Sequence, residues 1–241
     1  MENLIDVVKN AFSNGKPVLI FDSEFREGET DLLYPAFSIN TENIRTLRKV
    51  CGGLLFLAIG DEIGDRLGLP YLQDLHTTKE AKSQWPILEN LVTNDLKYDQ
   101  RSAFTLSLNH RKTFTGITDR DRNLTVRSFA EFWERTQDIK DIATVMKLFG
   151  EEFRTPGHVP VCKEAKGGLF NRQGHTELAV AVARISGISP IVVGAEMLQP
   201  DGDFALSKEQ AKSWGKKHNI PFISGEMLLE AYILEMRRLD E

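Results

Sequence analysis

Two runs in which every residue is apolar constrain this chain most: Pro17-Val18-Leu19-Ile20-Phe21 and Leu54-Leu55-Phe56-Leu57-Ala58-Ile59. Short apolar runs bounded by turn formers read as buried strands, and the second is entered through Cys51-Gly52-Gly53. Ala103-Phe104-Thr105-Leu106-Ser107-Leu108 alternates as a half-buried strand does, and residues 191–195 and 221–224 supply further strands. Helical spacing appears at Leu4, Ile5, Val7, Val8 and Phe12, before Gly15-Lys16-Pro17 stops it. Further helices are expected over residues 176–185 and 226–238, and Ser207-Lys208-Glu209-Gln210 is a capping box that opens another. Residues 128–153 form a charged helical stretch with Phe129, Phe132, Ile139, Ile142, Val145 and Met146 on one face. Val159-Pro160-Val161 and Leu169-Phe170 flank a hairpin-like turn built on a glycine pair, and residues 71–100 are polar without a clear period. Strands and helices alternate without strict order, which predicts layered α and β structure. With no repeat and no Gly/Ser linker, residues 1–241 are expected to form a single domain.

Thirty basic residues against 35 acidic ones give a net charge of −5, a poor basis for binding phosphate backbones, so no nucleic-acid partner is expected. No apolar run approaches the ~18–20 residues of a membrane span. The opening Met1-Glu2-Asn3-Leu4-Ile5-Asp6 lacks the basic-then-apolar pattern of a secretion signal. Cys51 and Cys162 lie far apart without a CxxC partner, which excludes a disulfide framework and a thiolate zinc site. A cytoplasmic protein is the expectation. Dinucleotide, P-loop, HExxH and GxSxG patterns are all missing from the sequence.

Chemistry concentrates in a few places. Asp22-Ser23-Glu24-Phe25-Arg26-Glu27-Gly28-Glu29-Thr30-Asp31 carries five carboxylates within ten residues, directly after a strand. If the segment is extended, Glu27, Glu29 and Asp31 share one side. Like charges that close repel, and a hard divalent cation is the usual reason to tolerate them; a solvated acidic loop is the alternative. Arg26 beside them suits a phosphate or a carboxylate. Arg172-Gln173-Gly174-His175-Thr176-Glu177 precedes a helix. There free N–H groups attract anions, the glycine admits a ligand, Arg172 and Thr176 add donors, and His175 offers a ring nitrogen to a metal. Alternatively Thr176 only caps the helix. His158 follows the tight turn Thr155-Pro156-Gly157, and Glu196 ends an apolar strand, a fair place for acid/base work. Residues 113–122 cluster hydroxyls and arginines, as a second anion-binding loop or a polar turn.

In order and spacing these segments resemble the 3,4-dihydroxy-2-butanone 4-phosphate synthases of riboflavin biosynthesis. The matching pieces are residues 22–31, 102–107, 113–125, 154–159 and 167–196. The departures are Phe114 and Thr118-Asp119, where the family commonly has a threonine and Ser-Ala. Residues 71–100 and 128–153 are longer than in compact bacterial members, more like archaeal ones. The chain looks monofunctional, without the cysteine zinc ligands of a fused cyclohydrolase.

The resemblance implies an α+β fold, a three-layer α/β/α sandwich around a mixed β-sheet. It implies conversion of D-ribulose 5-phosphate to L-3,4-dihydroxy-2-butanone 4-phosphate and formate. The route is metal-stabilised enediolate formation, rearrangement and loss of C4, with Mg2+ or Mn2+ and no organic cofactor. It further implies a homodimer with sites at the interface. Carried over by motif, Glu27 and His175 ligate the metal with Glu29 near it. Arg26 and Asp31 contact substrate, and Arg172, Gln173, Gly174, His175 and Thr176 hold the phosphate. Asp31, His158 and Glu196 share the catalytic work, Glu196 also contacting substrate. Two rivals are another metal-dependent phosphosugar enzyme that releases no formate, and a non-enzymatic relative that binds a phosphorylated ligand or nucleic acid.

Overall fold

The computed structural model describes residues 3–239 apart from Asn94 and Tyr98; Met1 and Glu2 of the opening hexapeptide, and those two positions within residues 71–100, lie outside the described residues. Seven strands, β1 (Val18–Phe21), β2 (Thr30–Pro35), β3 (Phe56–Ile59), β4 (Phe104–His110), β5 (Phe153–Lys163), β6 (Ile191–Glu196) and β7 (Phe222–Ser224), form one sheet in the order β4-β5-β3-β6-β2-β1-β7. The sheet is mixed: β1 and β7 run parallel, as do β3 and β5, and the other neighbours are antiparallel. The helices are α1 (Leu4–Ser13), α2 (Thr41–Thr46), α3 (Asp61–Arg66), α4 (Leu72–His76), α5 (Lys79–Gln84), α6 (Asp119–Thr136), α7 (Ile142–Glu152), α8 (His175–Ile185), α9 (Lys208–His218) and α10 (Gly225–Leu239).

Strands β1, β2 and β3 are buried at every position, which requires cover on both faces. Successive strand side chains point to opposite faces. Val18 and Ile20 accordingly join a core with Phe12 of α1, Val180 of α8 and Leu228 of α10. Leu19 enters a second core with Ile44, Ile63, Phe129, Val145 and Ala211 from α2, α3, α6, α7 and α9. The expected three-layer α/β/α sandwich around a mixed sheet is what forms. Each fully buried large side chain contributes about 1.5–3 kcal/mol of transfer free energy. These two cores, rather than the mostly exposed α4 and α5, therefore hold the central strands in place.

Three expectations need correction. Residues 128–153 are two helices, because the Asp141 carboxylate accepts from the N–H groups of Ala143 and Thr144 and starts α7 afresh. The turn after Val161 is no hairpin. Gly167 (φ 87°) and Gly168 (φ 57°) take left-handed conformations that lead the chain out of the sheet into a short 3-10 turn, Gly168–Phe170. The strand Thr30–Pro35, hidden behind the acidic run, is central to the sheet, between β1 and β6. The loop over residues 113–122 is tied down by its own polar groups. Buried Asp121 accepts the N–H groups of Thr115 (3.1 Å) and Gly116 (2.8 Å), and the Thr118 hydroxyl caps α6.

Candidate active site

Asp22 directly follows strand β1, and its carboxylate accepts the N–H groups of Glu27 (3.0 Å) and Glu29 (2.9 Å). Two anchored amides fold residues 22–29 into a compact turn, closed by Gly28 at φ 70°. The segment is therefore not extended. Glu27 and Glu29 meet on one side through this turn, and strand alternation begins only at Thr30.

Asp31 lies on β2 and is 2% exposed. The register places it opposite Glu196 of β6, so two carboxylates stand on adjacent strands. Glu196 is seated by the chain before β3: Leu54 N–H donates to its Oε2 at 2.7 Å, and Gly53 N–H donates to its carbonyl at 3.1 Å. Any Cβ at Gly53 would collide with the Glu196 side chain and backbone. Burial, reinforced by the charge of Asp31, pushes the Glu196 carboxyl up to about 7.

Helix α8 begins at His175, with Gly174 as its N-cap and no side-chain cap. Thr176 is buried and does not cap the helix. The ring Nδ1 of His175 lies 2.7 Å from Asp31 Oδ2, so its Nδ1–H donates to the Asp31 carboxylate. The opposite nitrogen, Nε2, is buried without a hydrogen-bond partner among the described residues, 3.4 Å from Glu27 Oε2 and 3.9 Å from Asp22 Oδ2. Burial opposes the imidazolium, yet Asp31 and Glu27 outweigh it and raise the His175 pKa well above its ordinary value. The contact with His175 holds Glu27 below the usual carboxylate range, and burial raises Glu29.

One donor atom each from Glu27, Glu29 and His175 lies within 4.8 Å of the others. Hard carboxylate oxygens beside an imidazole whose other nitrogen is fixed by a carboxylate suit a divalent cation. The orphaned Nε2 is the nitrogen such an ion would take.

Beside this cluster opens a cleft of about 260 Å³ lined by, among others, Glu27, Asp99, Arg172, His175, Thr176 and Glu196. Arg172 pairs with buried Glu177 and with Asp99 (2.7 Å), and Arg26 pairs with Asp99 and with Glu27 (2.9 Å). Gly174 lies under both guanidiniums, where a Cβ would collide with Arg172. Gln173 is exposed at the cleft's outer side with Phe25 and Asn171.

The structure thus brings together Arg26, Glu27, Glu29, Asp31, Arg172, Gly174, His175, Thr176 and Glu196. It does not bring His158. That residue is exposed on β5, four positions before the cleft residue Cys162, about 13 Å away along a strand. Its ring packs on Asn109, with Nδ1 3.1 Å from Nδ2. Asp22 and Asp99 were not singled out from the sequence. Asp22 stood in the acidic run, but Asp99 lies 73 residues from each of its arginines, and no local pattern marks it.

Fold and cleft define an α+β sandwich protein with a charged cleft sized for a small polar molecule. A family model for 3,4-dihydroxy-2-butanone 4-phosphate synthase matches residues 6–231. The synthase of Methanosarcina mazei is 42% identical over 226 residues, covering 93% of this chain and 89% of that one. That of Archaeoglobus fulgidus is 41% identical over 223 residues, with 92% and 91% covered. That of Saccharomyces cerevisiae is 31% identical over 230 residues, with 94% and 96% covered. A solved 3,4-dihydroxy-2-butanone 4-phosphate synthase in complex with two magnesium ions superposes with a TM-score of 0.72 at 23% identity, over 98% of this chain and 99% of that one. The chain belongs to the 3,4-dihydroxy-2-butanone 4-phosphate synthase family.

Proposed function

We propose that this protein converts D-ribulose 5-phosphate to L-3,4-dihydroxy-2-butanone 4-phosphate and formate, as the lyase of riboflavin biosynthesis. It acts in the cytoplasm with Mg2+ or Mn2+ and no organic cofactor. The observation that carries the reading is His175, clamped by Asp31 through Nδ1 with Nε2 turned toward Glu27. The magnesium ions in the solved relative support the choice of metal.

Glu27, His175 and Glu29 hold the ion, which supplies Lewis-acid stabilisation of negative charge developing on substrate oxygens. Arg26 and Arg172, lying across Gly174, hold the phosphate with the Gln173, Gly174, His175 and Thr176 segment at the start of α8. Glu196, with its carboxyl near 7, accepts and returns protons at neutral pH. Asp31 orients His175 with one oxygen, and its second, Oδ1, has no partner among the described residues, which leaves it for a substrate hydroxyl. His158 enters the scheme only from a second copy, which makes the working unit a homodimer with sites at the interface.

Formate release from ribulose 5-phosphate is the test. It is expected with Mg2+ and abolished by excess chelator; no formate from folded, Mg2+-loaded protein overturns the synthase reading. For the shared site, His158→Ala and Glu196→Gln chains are each expected to keep no more than about a hundredth of wild-type activity alone. Random pairing restores one intact site in the mixed dimers, about a quarter of wild-type activity. An inactive mixture, in which mixed dimers are shown to form, removes His158 from the neighbour's site.

A further inference from the structure

Two guanidiniums from separate parts of the chain meet on one oxygen. Arg26 in the acidic turn and Arg172 before α8 both donate through Nη2 to Oδ2 of Asp99. Their side chains are 9% and 18% exposed and that of Asp99 is 8%, so the triad is largely out of water. Arg172 is also bonded to Glu177, and Arg26 to Glu27, so three carboxylates surround two guanidiniums. Asp99 comes from neither segment. It lies in the polar stretch just before β4 and reaches across the cleft that it lines.

We propose that the Asp99 carboxylate is a resident stand-in for the substrate's phosphate, which enters by displacing it. The proposal rests on the reading of Arg26 and Arg172 as the phosphate-holding groups. A point where two buried guanidiniums converge on a single anionic oxygen is a point built for an oxyanion. Both guanidiniums cross Gly174, where the first free N–H groups of an eleven-residue helix add their partial positive charge. A carboxylate and a phosphate dianion on the same two cations would repel at contact distance, and more strongly in a buried site than in water. One of them therefore leaves.

The exchange is balanced, one charge-assisted contact for another, and a phosphate has more oxygens with which to engage the forks. A neutral hydroxyl has nothing to offer in that exchange. Asp99 thus keeps two neighbouring cations paired in the empty protein and sets a threshold that only an anionic end group crosses. It is a selectivity device against the unphosphorylated sugar, gained at the expense of affinity.

The test is binding of inorganic phosphate, measured by titration calorimetry on the Mg2+-loaded full chain, without turnover. Asp99→Asn keeps the shape and removes the charge, and phosphate is expected to bind about tenfold tighter than to wild type. The KM for ribulose 5-phosphate should fall with it. Unchanged or weaker phosphate binding by the folded variant overturns the proposal, because it makes Asp99 a brace for the arginines instead of their competitor. Hydrogen exchange on the wild type tests the same point without substitution. Amides of residues 99–103 are expected to exchange faster with phosphate bound, and slower or unchanged exchange counts against displacement. A wild type that releases no formate while Asp99→Asn binds phosphate more tightly overturns the synthase reading and leaves this one standing.

Discussion

Among the described residues, two crowded acidic clusters each bring three ligand-type side-chain atoms within 4.8 Å of one another, with different fates. One is Glu27, Glu29 and His175 at the cleft; the other is Asp61, Glu62 and Glu164, just past the C-terminal ends of β3 and β5. Each has a carboxyl raised to about 7 by burial, Glu196 beside the first and Glu164 within the second. The difference is the positive partner. In the second cluster Arg184 reaches Glu164 (2.6 Å) and Glu62 (2.8 Å) and lies 3.8 Å from Asp61, filling the centre with a permanent cation. In the first, Arg26 pairs with Glu27 (2.9 Å), and the other compensating group is an imidazole, which offers a lone pair once its proton leaves. Crowded acids are thus held as part of the scaffold where one arginine bridges all of them, whereas an imidazole partner leaves them open to the metal proposed above.

Three substitutions would break or sharpen this contrast, the largest effect first. Glu196→Gln should lower kcat by about 100- to 10,000-fold, the usual worth of a positioned acid/base group. The carboxylate is the base, so wild-type activity should fall as pH drops below about 7, and the residual activity of the variant should lack that limb. A variant keeping both the rate and the limb would move the proton work elsewhere. Asp31→Asn frees the His175 ring and should weaken Mg2+ binding by about 10- to 100-fold, read by calorimetry. Unaltered metal affinity would mean that the Asp31 contact does not orient a ligand.

Arg184→Met should leave formate release per folded molecule intact and cost stability, about 1–3 kcal/mol in urea unfolding, since Glu164 loses its charge partner. The sign with pH follows. Folded Glu164 holds its proton more tightly than the unfolded chain does, so its ionisation penalty is absent below pH 4.5 and complete above about 7. Without Arg184 the penalty grows, and the variant should be weakest relative to wild type above pH 7. An equal loss of stability at pH 4.5 and pH 8 would argue that Arg184 matters by packing alone.

Much of this was legible in the residues. Gly174-His175 before a periodic helix, the acidic run after an apolar strand, and Glu196 at a strand's end are local patterns, and each led to a side chain at the cleft. The layered α/β architecture followed from runs with no polar face. What stayed hidden depends on long-range pairing. The strand Thr30–Pro35 was masked because its first half reads as acidic loop, and only its β1 and β6 neighbours make it central. Asp99 and Arg184 find partners up to 122 positions away in the chain, where no period or spacing reaches. The break between α6 and α7 turned on one aspartate choosing to cap.

The pairing of β2 with β6 also bears on where this chain can change length. Asp31 faces Glu196, and Leu33 faces Gly194, because the two strands are locked in one register. One residue inserted between Thr30 and Asp31 would turn Asp31 and every residue after it in β2 to the opposite face, putting the His175 clamp on the wrong side of the sheet and the inserted residue opposite Glu196. One residue inserted within the mostly exposed segment 83–87 would meet mainly solvent. Insertions and deletions should therefore accumulate freely in the latter and be purged from the former, even at positions where ordinary apolar exchanges pass unnoticed.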